Sequence, residues 1–112
     1  MKYIMKYVFD IDGTICTHIS TEGSYEKAMP EVERIDKINK LFDTGHQITF
    51  HTARGMGTFN NDGKKAHEKY YELTFRQLND WGVKFHTLMM GKPSGDLYVD
   101  DKGISDEEFF ED

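Results

Sequence analysis

Tyr7-Val8-Phe9-Asp10-Ile11-Asp12-Gly13-Thr14 is an apolar run that closes on two aspartates and a glycine. Val8 and Phe9 suit a buried strand, and a short apolar run bounded by glycine reads as one. Gly13 allows the backbone to turn away tightly. The aspartate pair is the oddity. Two carboxylates one residue apart, at the mouth of a buried strand, repel each other and lose hydration, so a cation or hydrogen-bond donors must compensate them. Oxygen-only ligands favour a hard ion, with Mg²⁺ the first choice.

Outward from this stretch, residues 3–9 are expected to form the first strand. Residues 17–29 are polar and irregular, a loop or small flap. Pro30 opens a helix in which Val32, Ile35, Ile38, Leu41 and Phe42 recur at three- or four-residue steps, with Gly45 suited to its end. Gln47 to His51 is β-branched and aromatic, a second strand ending at Thr52. A second helix is expected over 64–80, with Ala66, Tyr70, Leu73, Gln77 or Leu78, and Trp81 as its inner stripe. Val83 to Met89 reads as a third strand. Gly91-Lys92-Pro93-Ser94-Gly95-Asp96 then turns the chain into a fourth, Leu97-Tyr98-Val99, ending at Asp100-Asp101. Ser105 can cap a short final helix whose first turn is acidic. Helical connections between strands predict an α/β fold with a mainly parallel, Rossmann-like sheet, in which ligands bind at the carboxyl ends of the strands.

The 112 residues make one domain, 1–112, with one layered core. A net charge of −6 disfavours non-specific nucleic-acid binding, which needs clustered Lys and Arg to neutralise phosphates. The single cysteine, Cys16, excludes an internal disulfide and a cysteine metal knuckle; a small buried filler is its simplest role. The lysines within Met1 to Lys6 do not suit a signal peptide, and no apolar stretch approaches membrane-spanning length, so a cytoplasmic protein without a membrane partner is expected.

The aspartate pair Asp10 and Asp12, the strand-end Thr52, Lys92 on its glycine-proline loop, and the second pair Asp100-Asp101 are all predicted to converge at one end of the sheet. Clustered carboxylates with a divalent cation supply a nucleophile and a proton donor, while a lysine and a hydroxyl suit a phosphoryl group. In this respect the sequence resembles the haloacid dehalogenase-like (HAD) phosphohydrolases over essentially its whole length. Asp10-Ile11-Asp12-Gly13-Thr14 matches the first motif of that family, Thr52 the second, Lys92 the third and Asp100-Asp101 the fourth. The resemblance implies that Asp10 attacks phosphorus and becomes an aspartyl-phosphate, and that Asp12 serves as acid and then base. It also implies that Thr52 and Lys92 hold phosphoryl oxygens. Mg²⁺ would bind the Asp10 side chain, the Asp12 main-chain carbonyl, and Asp101 or its neighbour Asp100.

Two departures stand out. Lys92 lies eight positions before Asp100, without the usual intervening helix, and there is no room for a cap domain. Capless relatives accept larger substrates or borrow cover from a neighbouring subunit, so a homo-oligomer is compatible with the sequence. Thr52-Ala53-Arg54-Gly55-Met56 is similar to small phosphatases of capsule or polysaccharide synthesis, and Ala53 and Arg54 lie close enough to the second motif to touch substrate. The expected activity is therefore Mg²⁺-dependent hydrolysis of a small phosphate monoester, a sugar phosphate first. Two alternatives are a receiver-type phosphoacceptor domain and a nucleic-acid end phosphatase. Among the other polar residues, His51 is expected to face away from Thr52, and His18, His46, His67 and His86 to be structural or exposed.

Overall fold

The structure, a computed structural model, describes residues 3–19 and 24–111. Three strands, β1 (Lys6–Phe9), β2 (Gln47–His51) and β3 (Thr87–Met89), lie side by side in that order and all run parallel. Helix α1 (Val32–Asp43) joins β1 to β2, α2 (Gly63–Asp80) joins β2 to β3, and α3 (Asp106–Phe110) follows. The register sets Phe9 beside Phe50 and Phe50 beside Leu88, so one row of large apolar side chains crosses the sheet. That row is buried together with Ile35 and Ile38 of α1, Leu78 of α2 and Phe110 of α3. All three helices thus pack their apolar residues against a single face, which crossovers of one hand stepping in one direction require of α1 and α2. The alternate positions point the other way: Val8 and Met89 are 68% and 49% exposed.

The helix ends follow the expected chemistry in part. Asp62 caps α2 by accepting from the Lys64 and Lys65 amides, and Ser105 caps α3 by accepting from the Glu108 amide. Helix α1 has no side-chain cap, and Val32, expected on its inner stripe, is exposed in its first turn. The expected third strand over 83–89 is shortened to Thr87–Met89. The reason is local: the Ile48 amide donates to Nδ1 of His86 at 3.0 Å, and the Lys84 amide to Oδ1 of Asn39 at 2.8 Å. Side chains here take the hydrogen bonds that a ladder would have used.

The fourth strand, expected at Leu97 to Val99, does not form. Only residues 90–96 separate the end of β3 from Leu97, whereas a parallel return needs about a dozen residues. Tyr98 instead folds its loop back on itself, its hydroxyl accepting from the Gly95 amide and donating to the Pro93 carbonyl. Leu97 and Val99 are left exposed. Of the 17–29 flap, residues 20–23 lie outside the described residues; Tyr25–Lys27 forms a 3₁₀ turn, and Cys16 bridges to Pro30. Among the described residues, no helix is long and apolar enough to cross a membrane.

Helix α3 is short, so its attachment rests on few contacts. Phe110 stacks 6.2 Å from Phe9, the Arg34 guanidinium lies 4.8 Å over its ring, and Arg34 pairs with Asp106 at 2.7 Å. Phe110→Ala should therefore cost about 3–5 kcal/mol. Urea denaturation checks this; a loss within experimental error would mean that α3 contributes nothing to the core.

Candidate active site

The carboxyl ends of the strands are tied together by the backbone. Thr52, immediately after β2, donates its amide to the Met89 carbonyl at 3.0 Å, and the Lys92 amide donates to the Thr52 carbonyl at 3.1 Å. These two bonds place Lys92 beside Asp10, the residue after β1. Its ammonium stands 3.8 Å from Oδ1 of Asp10. Asp10, Asp12, Thr52 and Lys92 together line a cleft of about 400 Å³. The Thr52 hydroxyl oxygen accepts from the Arg54 amide at 3.1 Å, which leaves its hydrogen free to donate into the cleft.

Asp12 is held from behind. Nε and Nη2 of Arg54 donate to its two carboxylate oxygens, both at 2.9 Å. The remaining nitrogen, Nη1, donates to Oε1 of Gln77 at 2.7 Å and to Oγ1 of Thr74 at 3.3 Å. The Arg54 side chain has no exposed surface, and its guanidinium lies 4.8 Å from the centre of the Tyr25 ring. Gly55 makes this close packing possible: it has φ +80°, and a Cβ there would stand 2.7 Å from the Tyr70 ring. Arg54, expected to touch substrate, therefore spends its charge on Asp12. Both Arg54 and its neighbour Ala53 border the cleft.

Burial pushes the Asp10 carboxyl above its ordinary value, and Lys92 offsets this only in part. Burial also pushes the Cys16 thiol up to about 12, with Asp12 adding to the effect. Cys16 is thus an inert filler, its Sγ contacting the Ile11 carbonyl and Asp12. His51 lies outside the cleft lining, and burial followed by Lys92 holds its imidazole below the ordinary value.

Among the residues not assigned to the site from the sequence, Tyr25, Tyr98 and His18, the last expected to be structural or exposed, also line the cleft. His18 lies over Gly13, where a Cβ would meet its Nε2 at 2.3 Å, and Gly13 has φ +83°. Tyr98 presents its ring to the Lys92 ammonium at 4.4 Å, a cation–π contact that restrains the lysine in addition to Asp10. Asp100 and Asp101 do not join them. Both are exposed and lie outside the cleft lining, and Asp100 caps its own turn by accepting from the Lys102 and Gly103 amides. Their absence follows from the missing fourth strand that was to carry them.

The donor chemistry sets what a cation could use. Among the described residues, no three of His, Cys, Asp and Glu gather as a metal cage. The Asp12 oxygens are engaged by Arg54, which leaves the under-compensated Asp10 carboxylate. One carboxylate suits a Mg²⁺ that keeps most of its waters and takes further oxygens from a bound phosphate. The site fits such a loosely held ion.

Together the fold and cleft define a small α/β domain with a three-stranded parallel sheet, flanking helices, and polar residues gathered at its strand ends. A structural-genomics target from Vibrio cholerae, solved by crystallography, is similar in fold, with a TM-score of 0.84 and 24% identity over 96% of this chain and 88% of its own. At that identity the likeness speaks to fold alone. No protein-family model and no curated protein matches the chain.

Because Asp10 holds its proton more tightly folded than unfolded, ionising it costs stability. The folded state binds more protons between pH 3.8 and the raised value, so stability falls across that window as pH rises. Asp10→Asn removes the cost and should raise Tm at pH 7, with a smaller effect near pH 3. A lower Tm for Asp10→Asn at pH 7 would mean that the attraction of Lys92 outweighs burial.

Proposed function

We propose that the protein is a Mg²⁺-dependent phosphomonoesterase of the HAD type, capless and Rossmann-like, acting on a small phosphorylated metabolite, with a sugar phosphate the favoured class. The observation that carries this is the Lys92 ammonium 3.8 Å from the Asp10 carboxylate, in a cleft that Thr52 and Asp12 also line. An attacking oxygen, a fixed cation, a hydroxyl donor and a second carboxylate are what phosphoryl transfer through an enzyme ester needs. The first three sequence motifs support the same function, while the aspartates of the fourth lie outside the cleft lining.

In this mechanism Lys92 and the Thr52 hydroxyl grip the phosphoryl oxygens and set phosphorus in line with Oδ of Asp10. That oxygen forms the new P–O bond as the ester P–O bond breaks. Asp12 is the group placed to pass a proton to the departing alkoxide. It then takes a proton from the water that attacks the aspartyl-phosphate, which frees inorganic phosphate and restores Asp10. The Asp10 carboxylate and the Asp12 main-chain carbonyl would hold Mg²⁺, whose chemistry is to neutralise the phosphoryl charge. The cleft volume accommodates a small ester. Tyr25, Tyr98 and His18 line the cleft and offer surfaces for its organic part.

A screen of sugar phosphates, nucleotides and phosphorylated organic acids with Mg²⁺ should show phosphate release, and Asp10→Asn should abolish it. No release from any ester would end the proposal. A long-lived phosphorylated chain without turnover would instead favour a phosphoacceptor domain.

A further inference from the structure

We propose that Arg54 is a positioning residue: its enclosed guanidinium fixes where Asp12 meets the leaving oxygen and the attacking water, and couples that carboxylate to the Tyr25 wall of the cleft. This rests on the phosphomonoesterase function proposed above.

The geometry leaves Arg54 little else to do. A residue that clamps substrate phosphate must offer free donors to the cleft, whereas Arg54, though it borders the cleft, has no exposed side-chain surface and four of its five N–H donors are engaged within the protein. Two parallel bonds to a carboxylate fix its plane as well as its position, which a lysine ammonium at the same place could not do.

The fork is itself braced. Gln77 accepts from Nη1 through its amide oxygen while its amide nitrogen donates to the Tyr25 carbonyl at 2.9 Å. Turning that amide over would break both bonds, so the surroundings set its orientation. Thr74, one turn earlier on α2, supplies the second acceptor. Tyr25 closes the ring of contacts, its face against the guanidinium and its hydroxyl accepting from the Gly55 amide at 3.0 Å. The carboxylate is therefore referenced to α2, and Tyr25, against which Arg54 packs, also lines the cleft. Displacement of a catalytic group by about 1 Å can cost on the order of 10²-fold in rate. The brace removes that freedom.

The test compares Arg54→Lys with wild type on two esters, p-nitrophenyl phosphate and an alkyl phosphate such as glycerol phosphate. The first leaves as a stabilised phenolate and needs little proton help; the second leaves as an alkoxide and needs it fully. For the alkyl ester kcat/KM should fall by about 10²-fold, and for the aryl ester by much less. A burst of p-nitrophenol should then appear, because water activation by Asp12 is slowed. An equal fall in kcat/KM on both esters would overturn the proposal, since it would mean that Arg54 serves the phosphoryl group they share.

Gln77→Met keeps the guanidinium but removes its brace, and should give the same pattern at smaller amplitude. It carries the test if Arg54→Lys does not fold, and a wild-type profile for Gln77→Met would count against positioning. Thermal unfolding supplies a readout independent of turnover. The Tm losses of Arg54→Lys and Asp12→Asn should be strongly non-additive in the double variant, and additive losses in an active enzyme would overturn the positioning role alone. A wild type that hydrolyses neither these esters nor any in the wider screen would overturn the phosphatase function and the role of Arg54 with it.

Discussion

A guanidinium sealed from solvent, forked onto a carboxylate in the loop after the first strand, is the contact around which the site is arranged. Asp12 and Arg54 are 42 positions apart, and their pairing fastens the loop after β1 to the loop after β2. Such a pair stabilises little in net terms, because stripping water from two charges costs nearly what their attraction returns. Its significance lies in the asymmetry: with one member absent, the other is left buried and uncompensated, at a cost of about 3–5 kcal/mol. The polar side chains of Thr74 and Gln77 are tolerated on the inner face of α2 for the same reason, as each satisfies a donor that would otherwise be stranded.

A second constraint acts through the main chain. The Thr52 amide bonds to Met89, and the Thr52 carbonyl accepts from Lys92, so two loops from neighbouring strands share one residue. Lys92 is then held by Asp10 and the Tyr98 ring without needing a helix behind it. The departure noted in the sequence, the short interval between Lys92 and Asp100, is met by Tyr98, whose hydroxyl folds the following loop.

Much of this was legible because it is local. Gln47 to His51 alternates and is β-branched, and its boundaries agree with β2; the apolar spacing of residues 64–80 gives α2 within one residue. Asp10, Thr52 and Lys92 each follow a strand, and a parallel sheet gathers its strand ends. The partner of Arg54 was hidden because the pairing is long-range. The available sign was Thr74 and Gln77, two polar side chains one turn apart on an otherwise apolar stripe, which demand a buried partner. Leu97-Tyr98-Val99 misled because its composition suits a strand while its connection is too short for a parallel one. His18 was passed over because nothing in its neighbours shows that the chain brings it back over Gly13.

Among the described residues, β1 and β3 are the outer strands of the three-strand order, and the outer backbone edge of each has no strand partner. Exposed Val8, Leu97 and Val99 add apolar surface on the same small molecule. Four residues of strand with Lys6 at its start make a poor template for another chain. Mutual repulsion from the −6 charge supplies further protection at neutral pH. That repulsion vanishes at the isoelectric point, about 5.3. Colloidal stability of this domain is accordingly an electrostatic property, weakest in mildly acidic, high-salt solution, where screened and neutralised copies can come edge to edge.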